Sequence, residues 1–160
     1  MSGSTGVRLA VLGSTGSIGT QALEVAARER ERVQVVALAA GSGLERLVEQ
    51  ARAWRPGTVA LERPRDPVAA REALAVAAPG ARVLTGPGAA ARLTAECGAD
   101  VVLNGIVGAA GLAASLAALA RGARLALANK ETLVVGGPLV RAALARGGEL
   151  VPVDSEHSAA

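Results

Sequence analysis

The sequence has very few of the residues on which many redox and nucleic-acid-binding sites depend. Its 160 residues include no Phe or Tyr, one Trp, one Cys and one His. The single cysteine, Cys97, excludes an internal disulfide and gives no sign of an oxidising compartment. Nucleic-acid modules often stack bases on aromatic side chains, so the near absence of aromatic residues argues against that function.

A concentration of positive charge and a targeting segment are also missing. The formal net charge is only +3, and arginines alternate with acids, as in Arg28-Glu-Arg-Glu-Arg32. That alternation is typical of a solvated face rather than of a surface that follows phosphates. Residues 1–6 are expected to form a short flexible tail, without the charged and apolar regions of a signal peptide. We therefore predict a cytoplasmic protein with no nucleic-acid partner.

One stretch, Val101 to Ala120, is apolar enough to suggest a transmembrane helix. It contains Asn104, three glycines and many weakly hydrophobic alanines, which make it a poor membrane span. A buried strand, a turn and a helix explain the stretch better. We therefore expect no membrane partner.

Lysine is nearly absent as well: of 17 Lys and Arg residues, only Lys130 is lysine. We interpret the excess of Ala, Gly and Arg as a mutational preference for GC-rich codons. Residues kept against that preference are then informative. They are Lys130, Asn104, Asn129, Ile18 and Ile106.

Short β-branched runs alternate with longer helical patterns, which predicts successive βα units wound on a parallel sheet. The helical pattern is clearest from Leu44 to Trp54, where apolar residues share one face. The candidate strands are Val7 to Leu12, Val33 to Ala39, Thr58 to Leu61, Ala81 to Leu84, Asp100 to Leu103, Arg124 to Ala128 and Leu150 to Val153.

The first strand leads directly into a glycine turn, Gly13-Ser-Thr-Gly-Ser-Ile-Gly19, and then into a helical segment. Such a turn lets backbone amides approach a phosphate, and the helix N-terminus adds partial positive charge. The pattern predicts a dinucleotide site in a Rossmann-like, doubly wound α/β fold with a mostly parallel sheet flanked by helices. An ordinary tight turn is the alternative.

The end of the second strand favours NADP over NAD. An NAD site usually has an acid there to accept a hydrogen bond from the ribose 2′-hydroxyl. This chain has Ala39-Ala40-Gly41-Ser42-Gly43 instead, so a 2′-phosphate would meet no repulsion. Arg46, one turn into the next helix, is either a partner of that phosphate or a surface residue.

Two later motifs have a binding and a structural interpretation. A second glycine series, Gly105-Ile-Val-Gly-Ala-Ala-Gly111, brings the backbone close either to a ligand or to a neighbouring part of the chain. After the last strand, Asp154 and Glu156 are two residues apart and project to the same side, as ligands of a hard cation do. A solvated turn is the alternative there, and His157 is either a further polar wall or a surface residue.

Together, GSTGSIG, GIVGAAGL, ANKETLV and PVDSEHSA, in this order, resemble the N-terminal part of the 1-deoxy-D-xylulose 5-phosphate reductoisomerase family. The resemblance extends over essentially the whole chain. It implies conversion of 1-deoxy-D-xylulose 5-phosphate to 2-C-methyl-D-erythritol 4-phosphate, in isoprenoid precursor synthesis, with NADPH and Mg²⁺ or Mn²⁺. It also implies a bacterial protein, a phosphorylated sugar substrate and a homodimeric full-length form.

The resemblance also implies roles for individual residues. The cofactor-binding residues are Gly13, Ser14, Thr15, Gly16, Ser17, Ile18, Gly41, Ser42, Gly43, Asn129 and Glu131. The substrate-binding residues are Lys130, Ser155 and Glu156, of which Lys130 and Glu156 are catalytic. The metal ligands are Asp154 and Glu156. A compact ammonium on a flexible stem can move between a substrate hydroxyl and a carboxylate, whereas a planar guanidinium requires a wider space.

Members of that family are much longer than this chain. We therefore expect residues 7–160 to form an NADP-binding domain that ends where the catalytic domain would begin. The third metal ligand and the residues that bind the substrate phosphate would lie beyond Ala160. We expect the chain alone to bind NADPH weakly and to turn over no substrate.

Two other functions are compatible with the glycine turn. One is a stand-alone nucleotide-binding module without catalysis, which would have no need of the ANKE and DSEH motifs. The other is a different dehydrogenase, such as a semialdehyde dehydrogenase, with Cys97 as the nucleophile in a cleft. Cys97 follows a helical run, so we predict that it packs at a helix end.

Overall fold

The computed structural model describes residues 6–128, 134 and 136–153. The strands in this part are β1 (Val7–Leu12), β2 (Val33–Ala40), β3 (Thr58–Leu61), β4 (Arg82–Thr85), β5 (Val101–Asn104), β6 (Arg124–Leu127) and β7 (Glu149–Pro152). The helices are α1 (Ser17–Arg28), α2 (Leu44–Trp54), α3 (Pro67–Ala77), α4 (Ala89–Glu96), α5 (Gly108–Ala120) and α6 (Gly137–Ala145).

The predicted fold class is confirmed: helices alternate with the strands of one parallel sheet, as in a Rossmann-like α/β fold. Each of the seven predicted strands is present, with its ends shifted by no more than one residue, and α2 spans the predicted residues. The apolar stretch from Val101 to Ala120 forms β5 and α5. Within the described residues, no helix is long and apolar enough to cross a membrane. Of the tail predicted for residues 1–6, only Gly6 belongs to the described part.

The sheet is covered on both faces, which explains why its strands are short apolar runs rather than alternating ones. In β1, Ala10 and Leu12 belong to one buried layer and Val11 to the other. The first layer also contains Leu93 of α4 and Ala114 of α5. The second contains residues of α1, α2 and α3, namely Leu23, Leu47 and Leu74.

The direction of chain winding reverses beside β1. The strand order is β4-β3-β2-β1-β5-β6-β7, so β2 to β4 extend to one side and β5 to β7 to the other. Leu12 at the end of β1 pairs with Ala39 of β2 and with Asn104 of β5. The carboxyl ends of these three strands therefore lie side by side at the point where α/β folds bind ligands.

Candidate functional site

The first glycine turn joins β1 to α1 and is held by β2. The amides of Gly13 and Ser14 both donate to the carbonyl oxygen of Ala39, at 2.8 and 2.9 Å. Gly13 has φ of +76°, which favours glycine. A Cβ on Gly19, in the first turn of α1, would overlap the carbonyl oxygen of Gly13. Glycine is therefore required at both positions by backbone geometry and close packing.

The N-terminus of α1 has the electrostatic character of an anion site. Gly16 is the N-cap, so no side chain caps the first amides, and the first turn contains no acid. Unsatisfied amides and the helix dipole give this end a partial positive charge. Ser17 and Ile18, the first helical residues, follow immediately. These two predicted cofactor residues thus lie where a phosphate would be attracted.

The second glycine turn lies directly against the first. The amide of Gly105 donates to the carbonyl oxygen of Leu12 at 2.9 Å. A Cβ built on Gly13 would lie 3.1 Å from the carbonyl carbon of Gly105. A Cβ on Gly111 would overlap the carbonyl oxygen of Ile106. Close packing of the chain on itself therefore accounts for Gly13 and Gly111, and it places the two turns side by side at the carboxyl ends of β1 and β5.

Asn104 fixes the shape of the second turn. Its side chain is fully buried at the end of β5. Its Nδ2 donates to the carbonyl oxygen of Gly111 and to Oγ of Ser115, both at 2.8 Å, while Oδ1 accepts from the amide of Ile106 at 3.0 Å. The unusual retention of Asn104 singled it out in the sequence, and the structure supplies the reason: one amide joins β5, the turn and α5.

Helix α2 also holds the first glycine turn, through hydrogen bonds from two of its side chains. Gln50 Nε2 donates to the carbonyl oxygen of Ser14 at 2.8 Å, and Arg46 Nη1 donates to that of Thr15 at 3.2 Å. Arg46 is exposed, yet it contacts the glycine turn. Gln50 was not among the residues predicted from the sequence. Its spacing of four residues from Arg46 on α2 is the signal that could have indicated a shared face.

The turn after β2 lies beside the first glycine turn. A Cβ on Gly43 would lie 3.3 Å from Oγ1 of Thr15. Next to it is a cavity of about 470 Å³, whose lining includes Ser42, Gly43 and Arg46. The structure thus brings together the two groups of predicted cofactor residues in the described part, from Gly13 to Ile18 and from Gly41 to Gly43.

The predicted substrate and metal residues, and two of the predicted cofactor residues, lie outside the described residues. They are Asn129, Lys130, Glu131, Asp154, Ser155 and Glu156. The strands that precede them are neighbours: Leu127 of β6 pairs with Pro152 of β7. The amide of Ala128 donates to Asn104 O at 3.1 Å, and that of Val153 to Leu127 O at 2.9 Å. No group of three His, Cys, Asp or Glu side chains in the described part could hold a metal ion.

Cys97 lies at the amino ends of the strands, opposite to the glycine turns. It is the C-cap of α4, shortly before β5 begins, whereas the glycine turns follow the ends of β1 and β5. Its thiol is half-buried, lies 3.8 Å from the carbonyl oxygen of Thr94 and packs against the core. The predicted packing role agrees with this position. A nucleophile that acts on a nucleotide bound at the glycine turns would have to lie at the carboxyl ends of the strands, whereas Cys97 lies at the amino ends.

Asp100, like Cys97, lies at the amino ends of the strands, and a contact with Arg8 lowers the pKa of its carboxyl group. Asp100 accepts hydrogen bonds from Nη2 of Arg8 at 3.1 Å and from the Arg8 amide at 3.0 Å. These hydrogen bonds, followed by the charge of Arg8, lower the pKa of Asp100. The pair joins the starts of β1 and β5, away from the glycine turns.

The family model for 1-deoxy-D-xylulose 5-phosphate reductoisomerase matches residues 9–137. A reductoisomerase from Beutenbergia cavernae is 60% identical over 154 residues, covering 93% of this chain and 38% of the relative. One from Mycolicibacterium smegmatis is 55% identical over 152 residues, covering 95% of this chain and 36% of the relative. The chain thus spans less than half the length of these relatives.

Solved structures of the same enzyme share the fold. The reductoisomerase from Zymomonas mobilis in complex with NADPH has a TM-score of 0.84 and 37% identity, covering 95% of this chain and 40% of that one. A second reductoisomerase, in complex with NADPH, fosmidomycin and magnesium, has a TM-score of 0.85 and 33% identity, with coverages of 94% and 37%. On this sequence and structural similarity, the chain belongs to the 1-deoxy-D-xylulose 5-phosphate reductoisomerase family.

Proposed function

We propose that this chain is the NADPH-binding part of a reductoisomerase that converts 1-deoxy-D-xylulose 5-phosphate to 2-C-methyl-D-erythritol 4-phosphate. The observation that carries the proposal is the contact between Gly13 and Gly105 at the carboxyl ends of β1 and β5. It places two close-packed glycine turns at the switch point of the sheet, where dinucleotides bind in this fold class. The NADPH-bound relative from Zymomonas mobilis supports the same cofactor.

The described residues fit a dinucleotide. The amides of Ser17 and Ile18 follow an N-cap without a side chain, so a pyrophosphate would approach them without obstruction. Thr15 and Ser17 add hydroxyl donors to the same turn. Gly41, Ser42 and Gly43 would line the adenosine end. When bound, NADPH would supply the hydride, and these residues would position it and hold its phosphates.

The remaining site residues complete the proposal outside the described part. Asn129 and Glu131 would lie along the cofactor, and Lys130, Ser155 and Glu156 would contact the substrate. Strands β6 and β7 end side by side, with Leu127 paired to Pro152. This pairing supports the proposal that the segments after the two strands lie close together. Lys130 is suited to move a proton between a substrate hydroxyl and a carboxylate.

Asp154 and Glu156 would hold a divalent cation, Mg²⁺ or Mn²⁺. Two carboxylates do not complete a magnesium site, because oxygen ligands must be supplied in an octahedral arrangement. When bound, the ion would polarise substrate oxygens as a Lewis acid. We propose that the longer protein supplies a further ligand, together with the residues that bind the substrate phosphate. A cytoplasmic homodimer remains our prediction for that longer protein.

Calorimetric titration and a turnover assay test the proposal. We expect the 160-residue chain to bind NADPH saturably and to consume none when 1-deoxy-D-xylulose 5-phosphate and Mg²⁺ are added. Absence of NADPH binding would contradict a cofactor-binding role. Substrate-dependent NADPH consumption would contradict the proposal that the rest of the protein is needed for catalysis.

A further inference from the structure

We propose that Arg63, two residues after β3, binds the 2′-phosphate of NADP and thereby sets the preference for NADP over NAD. The inference rests on the proposed function, because it presumes a dinucleotide at the glycine turns. It assigns the phosphate contact to the segment that follows β3, because the turn that follows β2 provides no cation of its own.

Arg63 is fixed against the end of β2 by its backbone. Its amide donates to the carbonyl oxygen of Gly41 at 2.7 Å. Its side chain then turns over Gly41: a Cβ built on that glycine would lie 2.9 Å from Nη2 and 3.6 Å from Cζ of Arg63. The guanidinium therefore occupies the space into which a side chain at position 41 would project.

That space has a known role in dinucleotide-binding folds. At the end of the second strand, NAD-binding proteins have an acid that accepts a hydrogen bond from the ribose 2′-hydroxyl, whereas an arginine nearby accommodates a 2′-phosphate. Here Ala40 and Gly41 provide no acid, and a planar cation takes that place. Guanidinium groups bind phosphate through two parallel hydrogen bonds, so the geometry selects for the phosphate.

The guanidinium of Arg63 is available for a ligand. The side chain is exposed, and no carboxylate in the described part of the chain forms an ion pair with it. Its neighbour Glu62 is buried and accepts hydrogen bonds from the amides of Gly88 and Ala90, at 2.7 and 2.9 Å. Glu62 thus caps the start of α4 and leaves the cation unpaired.

Two further arginines line the cavity beside Ser42 and Gly43. It measures about 470 Å³, and its lining includes Ser42, Arg46 and Arg65, a size typical of small-ligand sites. Two acids, Glu45 and Asp66, also line it. The carboxylate of Asp66 is already bound to the amides of Val68 and Ala69 at 3.1 Å. The two acids offset the two arginines of the lining in formal charge, so the assignment rests on Arg63, which lies nearest the end of β2.

Titration of the 160-residue chain with NADPH and with NADH tests the assignment. Arg63→Gln should weaken NADPH binding about 10- to 100-fold, as expected for a charge-assisted hydrogen bond, and leave NADH binding unchanged. Arg52→Gln, which removes the same charge from an exposed position on α2, should change neither affinity. The unchanged NADH affinity also shows that the variant is folded.

The other outcomes separate this inference from the function on which it rests. If Arg63→Gln binds NADPH as tightly as the unaltered chain, or loses NADPH and NADH equally, the assignment of Arg63 is overturned and the dinucleotide site stands. If Arg65→Gln abolishes the preference for NADPH over NADH and Arg63→Gln does not, the phosphate contact belongs to Arg65 and the assignment of Arg63 is again wrong. If the unaltered chain binds neither nucleotide, the proposed function fails first.

Discussion

Gly13 and Gly105 follow two different strands and lie in contact: a Cβ on Gly13 would be 3.1 Å from the carbonyl carbon of Gly105 and 3.2 Å from its oxygen. The contact exists because β1 and β5 are neighbours in the sheet, with Leu12 paired to Asn104. Two glycine turns that are remote in the sequence thereby lie side by side at the carboxyl ends of the strands.

The first prediction concerns this contact. Gly13→Ala should destabilise the fold, because Gly13 has φ of +76° and its Cβ would press on Gly105. Gly80→Ala is a matched control, since Gly80 has φ of +83° with nothing within 4 Å of a Cβ. Both variants carry left-handed strain of about 1–2 kcal/mol. Gly13→Ala should add a further cost of about 1–3 kcal/mol from overpacking. Equal losses in urea unfolding would contradict the contact.

Asn104→Ala should lower the free energy of unfolding by about 2–3 kcal/mol, because it leaves buried partners unsatisfied. Those partners are Gly111 O, Ser115 Oγ and the amide of Ile106. Ser115→Ala removes only one of these hydrogen bonds and should cost about 1 kcal/mol. Urea unfolding of both single variants and the double variant measures the coupling. Additive losses would show that Asn104 and Ser115 do not interact.

The Arg8 and Asp100 pair predicts a pH dependence. Hydrogen bonds from Arg8 lower the pKa of Asp100 from its ordinary value of 3.8. The stabilisation is therefore present above that ordinary value and is lost as the pH falls through the lowered pKa. The unaltered chain should be more stable than Asp100→Asn at pH 7, and the two should converge in acid. A difference in the free energy of unfolding that persists at low pH would contradict this account.

Lys130 is best tested in a chimera that joins residues 1–160 to the remaining C-terminal part of the Beutenbergia cavernae relative, with which this chain is 60% identical. We expect the chimera to consume NADPH with substrate and Mg²⁺. Lys130→Arg should reduce turnover about a hundredfold, as misplacement of a reacting group does, while NADPH affinity is retained. Arg124→Lys, at an exposed ion pair with Glu149, is the matched control and should leave turnover unchanged.

Two results would contradict the role of Lys130. Normal turnover by the Lys130→Arg chimera would show that a compact ammonium is not required. A chimera that binds NADPH but turns over no substrate would favour the stand-alone nucleotide-binding module instead.

Local pattern was sufficient to predict the strands and α2, because burial on both faces of the sheet produces short apolar runs such as β1. The glycine turn after β1 was predictable from local pattern too, because its glycines lie between a strand end and a helix start. The roles of Asn104, Gln50 and Arg63 were not predictable in this way. Their contacts depend on the strand order and on how α2 and α5 pack, which are set by partners distant in the sequence.

The central claim is that the first glycine turn binds the phosphates of a dinucleotide, and substitutions of Gly16 test it most directly. Gly16 is the N-cap of α1 with φ of −80°, so side chains are sterically allowed there. An aspartate cap should stabilise the helix by a few tenths of a kcal/mol over glycine, while its charge would repel a pyrophosphate.

Calorimetric titration of NADPH into the unaltered chain, Gly16→Asn and Gly16→Asp is the decisive measurement. We expect Gly16→Asp to be at least as stable as the unaltered chain and to lose NADPH affinity by about a hundredfold or more. Gly16→Asn, which has the same shape without the charge, should lose far less. NADPH binding by Gly16→Asp with unchanged affinity would contradict the account.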